Sequence, residues 1–210
     1  MRHFLVLSSI FLIVVSFNVT TKNFSGKIIY ENTFVNSKNQ DITKDMSSFF
    51  GKENIYFIND SNYRAYNENN ELMYLYNSSA NAYFDCDTKE KTAEKINAET
   101  VTSKKIKVKI VSDSDTICGF VCSCVEIKTE SGTTKYFFTP LISVDKKYYS
   151  KHNYGEWNSC LDATNGAVPL KIVYKDKEKG YTWTSKAKEV TNLIIQQKDF
   201  ELPKEITLKN

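Results

Sequence analysis

The sequence predicts a mainly β (α+β) fold, an antiparallel sheet covered by short helices, and three observations predict it. Clusters of Asn, Ser and Asp punctuate the chain at intervals of about eight to ten residues between Asn54 and Asp85, the spacing of a meander. The stretch from Ile117 to Pro140 reads as two strands, Phe120–Lys128 and Thr133–Thr139, around the turn Glu130-Ser131-Gly132, where the glycine is expected to supply a positive φ. The composition is β-rich and globular: 13 Tyr and 13 Phe stand against only 7 Gly and 3 Pro, unlike a linker or a disordered tail.

Residues 1–21 stand apart from this pattern. Arg2 and His3 precede an apolar run from Phe4 to Phe17, and Asn18, Thr20 and Thr21 close it. That is the layout of a secretory signal peptide, with cleavage expected near residues 19–22. The run is short for a membrane span of about 20 residues, although an uncleaved anchor is the competing reading. The expected product is a single domain over residues 22–210, exported to the periplasm or secreted, with no transmembrane span in the mature chain. No cysteine precedes Cys86, which argues against a lipid-modified N-terminal cysteine.

The formal charge of +3 becomes +2 once Arg2 departs, which gives no case for a nucleic-acid or membrane partner. Lys104 to Val111 alternates lysine with apolar residues and reads as a strand with a solvated lysine face.

In chain order, Phe24–Val35 opens the domain as a long strand. Ile42, Met46, Phe49 and Phe50 then fall at helical spacing, and Gly51 follows where a helix takes a left-handed cap. Short strands are expected over 54–58, 63–66, 71–76 and 81–85. Leu72 to Tyr76 is apolar or aromatic on both faces, so it must cover something on each side, a helix stripe and a cavity or a two-sided core. Asp87-Thr88-Lys89-Glu90 has capping-box form and predicts a surface helix or loop. Lys104–Val111 and Thr116–Lys128 lead into the central hairpin. The Tyr- and Trp-containing stretch from Asp145 to Ala163 predicts a broken helix interrupted at Gly155. Pro169–Tyr174 and Tyr181–Ile195 read as closing strands, and Phe200 and Leu202 as apolar plugs before Pro203.

Five cysteines in an exported chain point to disulfides with one thiol left over, and Cys86, Cys118, Cys122, Cys124 and Cys160 are the candidates. Cys122 and Cys124 share one strand face and cannot readily bridge each other, so each needs a partner elsewhere, and Cys160 is the first choice. A metal site on C-x3-C-x-C and a redox-active thiol are the alternatives, but no second ligand pair follows and no C-x-x-C occurs. His152, in a polar loop, reads as a surface histidine rather than a catalytic one. The chain has no phosphate-cradling Gly loop, H-E-x-x-H or G-x-S-x-G, so neither catalysis nor a cofactor is expected.

Several short segments carry a resemblance. Phe24-Ser25-Gly26-Lys27-Ile28, Ile117-Cys118-Gly119-Phe120 with Cys122, Tyr136-Phe137-Phe138-Thr139-Pro140, Gly166-Ala167-Val168-Pro169-Leu170 and Phe200-Glu201-Leu202-Pro203 together resemble a family of exported bacterial proteins without an assigned activity. The pattern is more distantly similar to the GLPGLI family, whose own motif is missing at 166–170. Such proteins resemble the lipoprotein carriers (LolA/LolB-like) in architecture. The resemblance implies a strongly curved antiparallel sheet, a half-open β-barrel, with short helices over its concave apolar side. Two functions follow as expectations. One is a non-catalytic envelope protein holding an apolar ligand, a lipid or lipoprotein acyl chain, against Ile55, Phe57, Leu72, Tyr74, Tyr76, Phe84 and Phe137. The other is an envelope protein–protein interaction module whose core is filled by its own side chains.

Overall fold

The computed structural model describes residues 23–209, so the signal peptide expected over residues 1–21 and the cleavage expected near 19–22 lie outside the described residues. Twelve strands form one sheet. The chain walks outward through β1 (Gly26–Val35), β2 (Glu53–Ile58), β3 (Asn62–Tyr66), β4 (Leu72–Asn77), β5 (Ala82–Asp87) and β6 (Thr92–Asn97). It then crosses to the opposite edge and walks back through β7 (Lys105–Ile117), β8 (Phe120–Thr129), β9 (Gly132–Ser143), β10 (Ala167–Asp176) and β11 (Thr182–Asn192). β11 pairs with β1, which joins the two meanders into the order β12-β6-β5-β4-β3-β2-β1-β11-β10-β9-β8-β7. Every pairing is antiparallel except that of the two-residue β12 (Thr207–Leu208) with β6.

The crossing from β6 to β7 shows why this sheet is curved. In a flat sheet those strands would lie ten spacings apart, about 48 Å at ~4.8 Å each. The residues between Asn97 and Lys105 reach at most about 29 Å fully extended. The sheet therefore bends until its two ends approach, without closing, as the curved half-open architecture requires. The crossing segment is pinned at both ends: Ala98 O accepts from Asn153 N and Tyr154 N, and Lys104 O accepts from Glu130 N.

Strand alternation sorts the side chains to two faces. Register places Tyr30, Asn54, Tyr56, Ala65, Tyr74 and Tyr76 on the inner face of one half. Ser185, Ile172, Tyr136 and Val125 continue that face across the other half. Helix α1 (Thr43–Phe50) packs on β1, where Phe50 and Trp183 flank the Phe34 ring. Helix α2 (Trp157–Ala163) covers the inner face of β8, with Cys160 among Val125, Ile127 and Tyr136. On the outer face of β3, the Arg64 guanidinium lies over the Phe57, Tyr66 and Phe200 rings and donates to Asp199 O. Phe200 is fully buried there, as the plug expected of it.

Several expectations are corrected. Asp87–Glu90 is not a helix start: Asp87 Oδ1 accepts from Lys89 N and Glu90 N, a turn between β5 and β6, and the residues after it form a strand. The single polar side chain serves a turn as well as a helix cap, which is why the motif misleads. The strand expected to begin at Thr116 is divided by a tight turn at Cys118 (φ 49°) and Gly119 (φ 82°). Gly132 is not among the positive-φ glycines; it is there because a Cβ would strike Lys175 O and the Tyr174 ring. The lysine-rich strand β7 is an edge, and in its first half Ile106, Val108 and Ile110 are exposed along with the lysines, whereas its far end turns back to place Asp115 beside Lys171 and Lys186 and to bury Ile117. β11 ends at Asn192, which leaves Ile194 outside the strand and 94% exposed. Leu72 to Tyr76 does bury both faces, but its outer side lies near the 3-10 turn Gln197–Phe200 rather than against the α1 stripe.

His152 is the largest departure. It is 0% exposed, with Nε2 2.6 Å from the Tyr63 hydroxyl and its ring stacked 4.1 Å from that of Tyr76. A polar loop sequence gave no hint of this, because the loop folds back into the sheet and brings one imidazole under a layer of tyrosines.

Candidate functional site

The inner face is filled at one end and hollow at the other. At the filled end, Tyr63, Tyr76, Tyr149 and His152 stack on one another, and Trp157 closes the pile 4.9 Å from Tyr63. The Tyr76 hydroxyl, with one proton to give, lies 3.0 Å from Tyr148 O and 3.2 Å from Asn81 Oδ1, and that of Tyr149 donates to Asn59 O. Aromatic pairs of this kind are worth about 0.5–1.5 kcal/mol each beyond their buried area, so this end is held together by its own side chains.

Beside the stack lies a cavity of about 310 Å³. Tyr30 and Tyr56 project from the adjacent strands β1 and β2, with Asn54 next to them; Tyr74 adds a further ring. Tyr136, Ile172, Tyr174, Trp183 and Ser185 form the wall from β9, β10 and β11. Trp157 and Cys160 of α2 complete it, and Thr102, Ser103 and Ser131 bring polar side chains from the crossing segment and the β8–β9 turn.

Local hydrogen bonds hold these walls. The Tyr30 hydroxyl donates to Pro169 O at 2.8 Å, spanning from β1 to β10. Asn32 accepts from Trp183 Nε1 at 3.1 Å and donates to Gly51 O, fixing the indole. The start of α2 is set by Gly155 (φ 65°) and Glu156 (φ 64°), two successive left-handed residues. Glycine takes that conformation freely; a glutamate there is strained by its Cβ. Asn158 N donating to His152 O, and Asn153 N to Ala98 O, anchor the segment.

The electrostatics of the cavity are one-sided. Among its lining residues Glu156 alone is ionisable to a charged form at neutral pH, and burial raises its carboxyl above the usual range, partly offset by a Thr129 hydrogen bond. Burial drives the Tyr30, Tyr56, Tyr74 and Tyr136 phenols and the Cys160 thiol up, so all five are neutral. Asn54 Oδ1 and the Tyr56 hydroxyl are buried without a hydrogen-bond partner, on residues only 8% and 3% exposed, and both atoms are sealed from the hollow as well as from solvent. A buried polar atom left unpaired costs about 1–3 kcal/mol, a local cost carried by β2.

Of the seven side chains expected to line an apolar site, Tyr74 lies in this wall. Tyr76 belongs to the stack. Ile55, Phe57 and Phe84 alternate to the outer face, as does Phe137, which carries Lys171 Nζ 4.6 Å over its ring. Leu72 is buried next to a register shift between β3 and β4. Of the residues missed, Tyr30, Asn54, Tyr56, Tyr136 and Trp183 follow one rule: by register they share the face of Ile28 and Ile58, the most buried positions of β1 and β2, while Trp157 comes from α2.

All five cysteines are free thiols. The favoured pairing of Cys122 or Cys124 with Cys160 is opposed by the sheet itself. Cys124 pairs with Phe137 on the outer side, whereas Cys160 packs with Val125 and Tyr136 on the inner side. Burial pushes the Cys124 and Cys86 thiols up to about 11, and Cys118 is exposed in its turn with Sγ 3.3 Å from Ala187 O. No group of three His, Cys, Asp or Glu side chains able to hold a metal occurs among the described residues.

Fold and cavity together define a curved, unclosed antiparallel sheet with an aromatic-walled pocket on its inner face. No family model matches the sequence, so neither likeness drawn from its motifs gains support there, and no curated protein matches it. Among solved structures it is similar to PNGF-II, at 16% identity and a TM-score of 0.50 over 89% of this chain. The chain spans 31% of the PNGF-II chain, and at this identity the likeness is one of fold alone. The LolA superfamily protein NE2245 from Nitrosomonas europaea aligns at 7% identity and a TM-score of 0.41, over 85% of this chain and 90% of its own. A putative outer membrane lipoprotein-sorting protein domain from Vibrio parahaemolyticus aligns at 6% and 0.37, over 85% and 89%. Both scores are too low to carry an argument. No helix among the described residues is long and apolar enough to cross a membrane.

Proposed function

We propose that this is an exported, non-catalytic envelope protein that holds a small apolar-bodied ligand in the inner-face cavity. The observation that carries the reading is the ring-lined hollow of about 310 Å³ on the inner face, with Thr102, Ser103 and Ser131 as polar side chains in its lining. Ligand sites are typically apolar clefts of about 300–1,000 Å³ with a few placed polar groups, and 310 Å³ lies at the compact end. One small ligand or a short stretch of acyl chain fits that volume better than a whole lipid. The wall chemistry favours holding over reacting: the phenols and the Cys160 thiol are kept protonated by burial. The alternative, an interaction module with a filled core, accounts for the Tyr63–His152 stack and leaves the hollow beside it unexplained.

Trp157 and Trp183 both line the cavity and report on it. Titration with the neutral arylamine N-phenyl-1-naphthylamine is expected to quench their fluorescence saturably. Ile172→Trp, which grows into the cavity, is expected to weaken that binding at least about tenfold while leaving the fold intact. Equal binding by both proteins would refute occupancy of this cavity.

A further inference from the structure

We infer that the ligand of the inner-face cavity is an organic cation, an amine protonated at neutral pH and attached to a compact apolar body. The inference rests on the reading above and adds the charge of the ligand.

The argument begins with what the cavity lacks. The chain carries 28 Lys and Arg, yet no basic side chain lines the hollow, and Glu156 is the one side chain there that can be charged. None of the ion pairs among the described residues involves Glu156, whose hydrogen-bond partner is the neutral Thr129 side chain. A ligand carrying a carboxylate or phosphate inside would meet no counter-charge and would be repelled by this carboxylate.

The remaining wall is electron-rich. Tyr56, Tyr74, Trp157 and Trp183 present aromatic rings, and the ring quadrupole attracts a cation most strongly where water is excluded. Two features of the lining thus select the same group: rings that favour a cation, and a single carboxylate with no basic side chain beside it. The strained left-handed backbone at Glu156 is the local cost of placing that carboxylate at the cavity rather than in solvent.

Three probes of similar size separate the charge states: 2-phenylethylamine, 2-phenylethanol and 3-phenylpropionate, each followed by quenching of Trp157 and Trp183. The amine is expected to bind at least about tenfold more tightly than the alcohol, with the carboxylate weakest. Glu156→Gln is expected to shrink the amine-over-alcohol ratio to within about threefold, because the alcohol does not depend on that charge. Binding of N-phenyl-1-naphthylamine with no preference for the amine would overturn the cationic ligand and leave the cavity reading standing. Preference for the amine that survives Glu156→Gln unchanged would overturn the role given to this carboxylate. Failure of every probe, the neutral arylamine included, would overturn both readings together.

Discussion

Between pH 6.5 and about 3 the protein is expected to lose about 1.4 kcal/mol of stability per pH unit through His152 alone. The imidazole is buried, and desolvation lowers its pKa from 6.5 to about 3. Within that window the unfolded chain binds a proton that the folded chain refuses. Stability is therefore complete above 6.5, falls as the pH is lowered, and stops falling near the folded value. The neighbours do not offset it: Tyr63, Tyr76 and Tyr149 have phenols raised by burial and stay neutral throughout. Elsewhere, Glu156 and Asp85 have raised carboxyls and contribute the opposite slope, but only near and below their own acid range. Urea unfolding at pH 7, 6 and 5 reads the effect. The wild type should lose about 2 kcal/mol from pH 6.5 to 5, and His152→Phe should be flat there. Equal slopes would show that the imidazole is accessible to protons in the folded state.

Gly166→Ala is expected to cost about 3–4 kcal/mol, from positive-φ strain and a backbone collision together. Gly166 has φ +85°, and a Cβ built on it would sit 2.5 Å from Val144 O. Its amide donates to Leu161 O at 2.7 Å and its carbonyl accepts from Val144 N at 2.9 Å, which ties the end of α2 to β9. Neither partner can move without disturbing the lid of the cavity. Gly180→Ala is the internal comparison: φ is +69°, but the nearest atom is Ser37 Cβ at 3.7 Å, so only about 1 kcal/mol is expected. Chemical denaturation of the two variants separates strain plus collision from strain alone. Equal losses would remove Gly166 from this role.

The meander was legible because its punctuation is local. Asn59, Asn67, Asn77 and Asp87 each accept backbone hydrogen bonds inside their own turn, so the residue type and the turn coincide. The aromatic, two-sided character of Leu72–Tyr76 was legible for a similar reason, since both faces of that strand are in fact buried. Which face looks inward was not legible from hydrophobicity. Ile55 and Phe57 are more apolar than Asn54 and Tyr56, yet the latter pair faces the cavity. Tyrosines and an asparagine at the inward positions of β2 break the rule that the more apolar parity faces in. His152 and Glu156 were illegible for another reason: their positions depend on Asn153, Tyr154 and Ala98 meeting across a long separation in sequence. The cysteine reading took Cys160 as the first partner for Cys122 or Cys124, and the sheet puts Cys160 on the opposite face from Cys124.

The central claim is that the inner-face cavity holds a ligand, and native mass spectrometry of the protein isolated from its own cells tests it most directly. The account predicts a reproducible added mass that solvent extraction removes and that is absent from Ile172→Trp prepared in the same way. A wild-type protein that is reproducibly bare, with a mass no greater than its sequence, would contradict it.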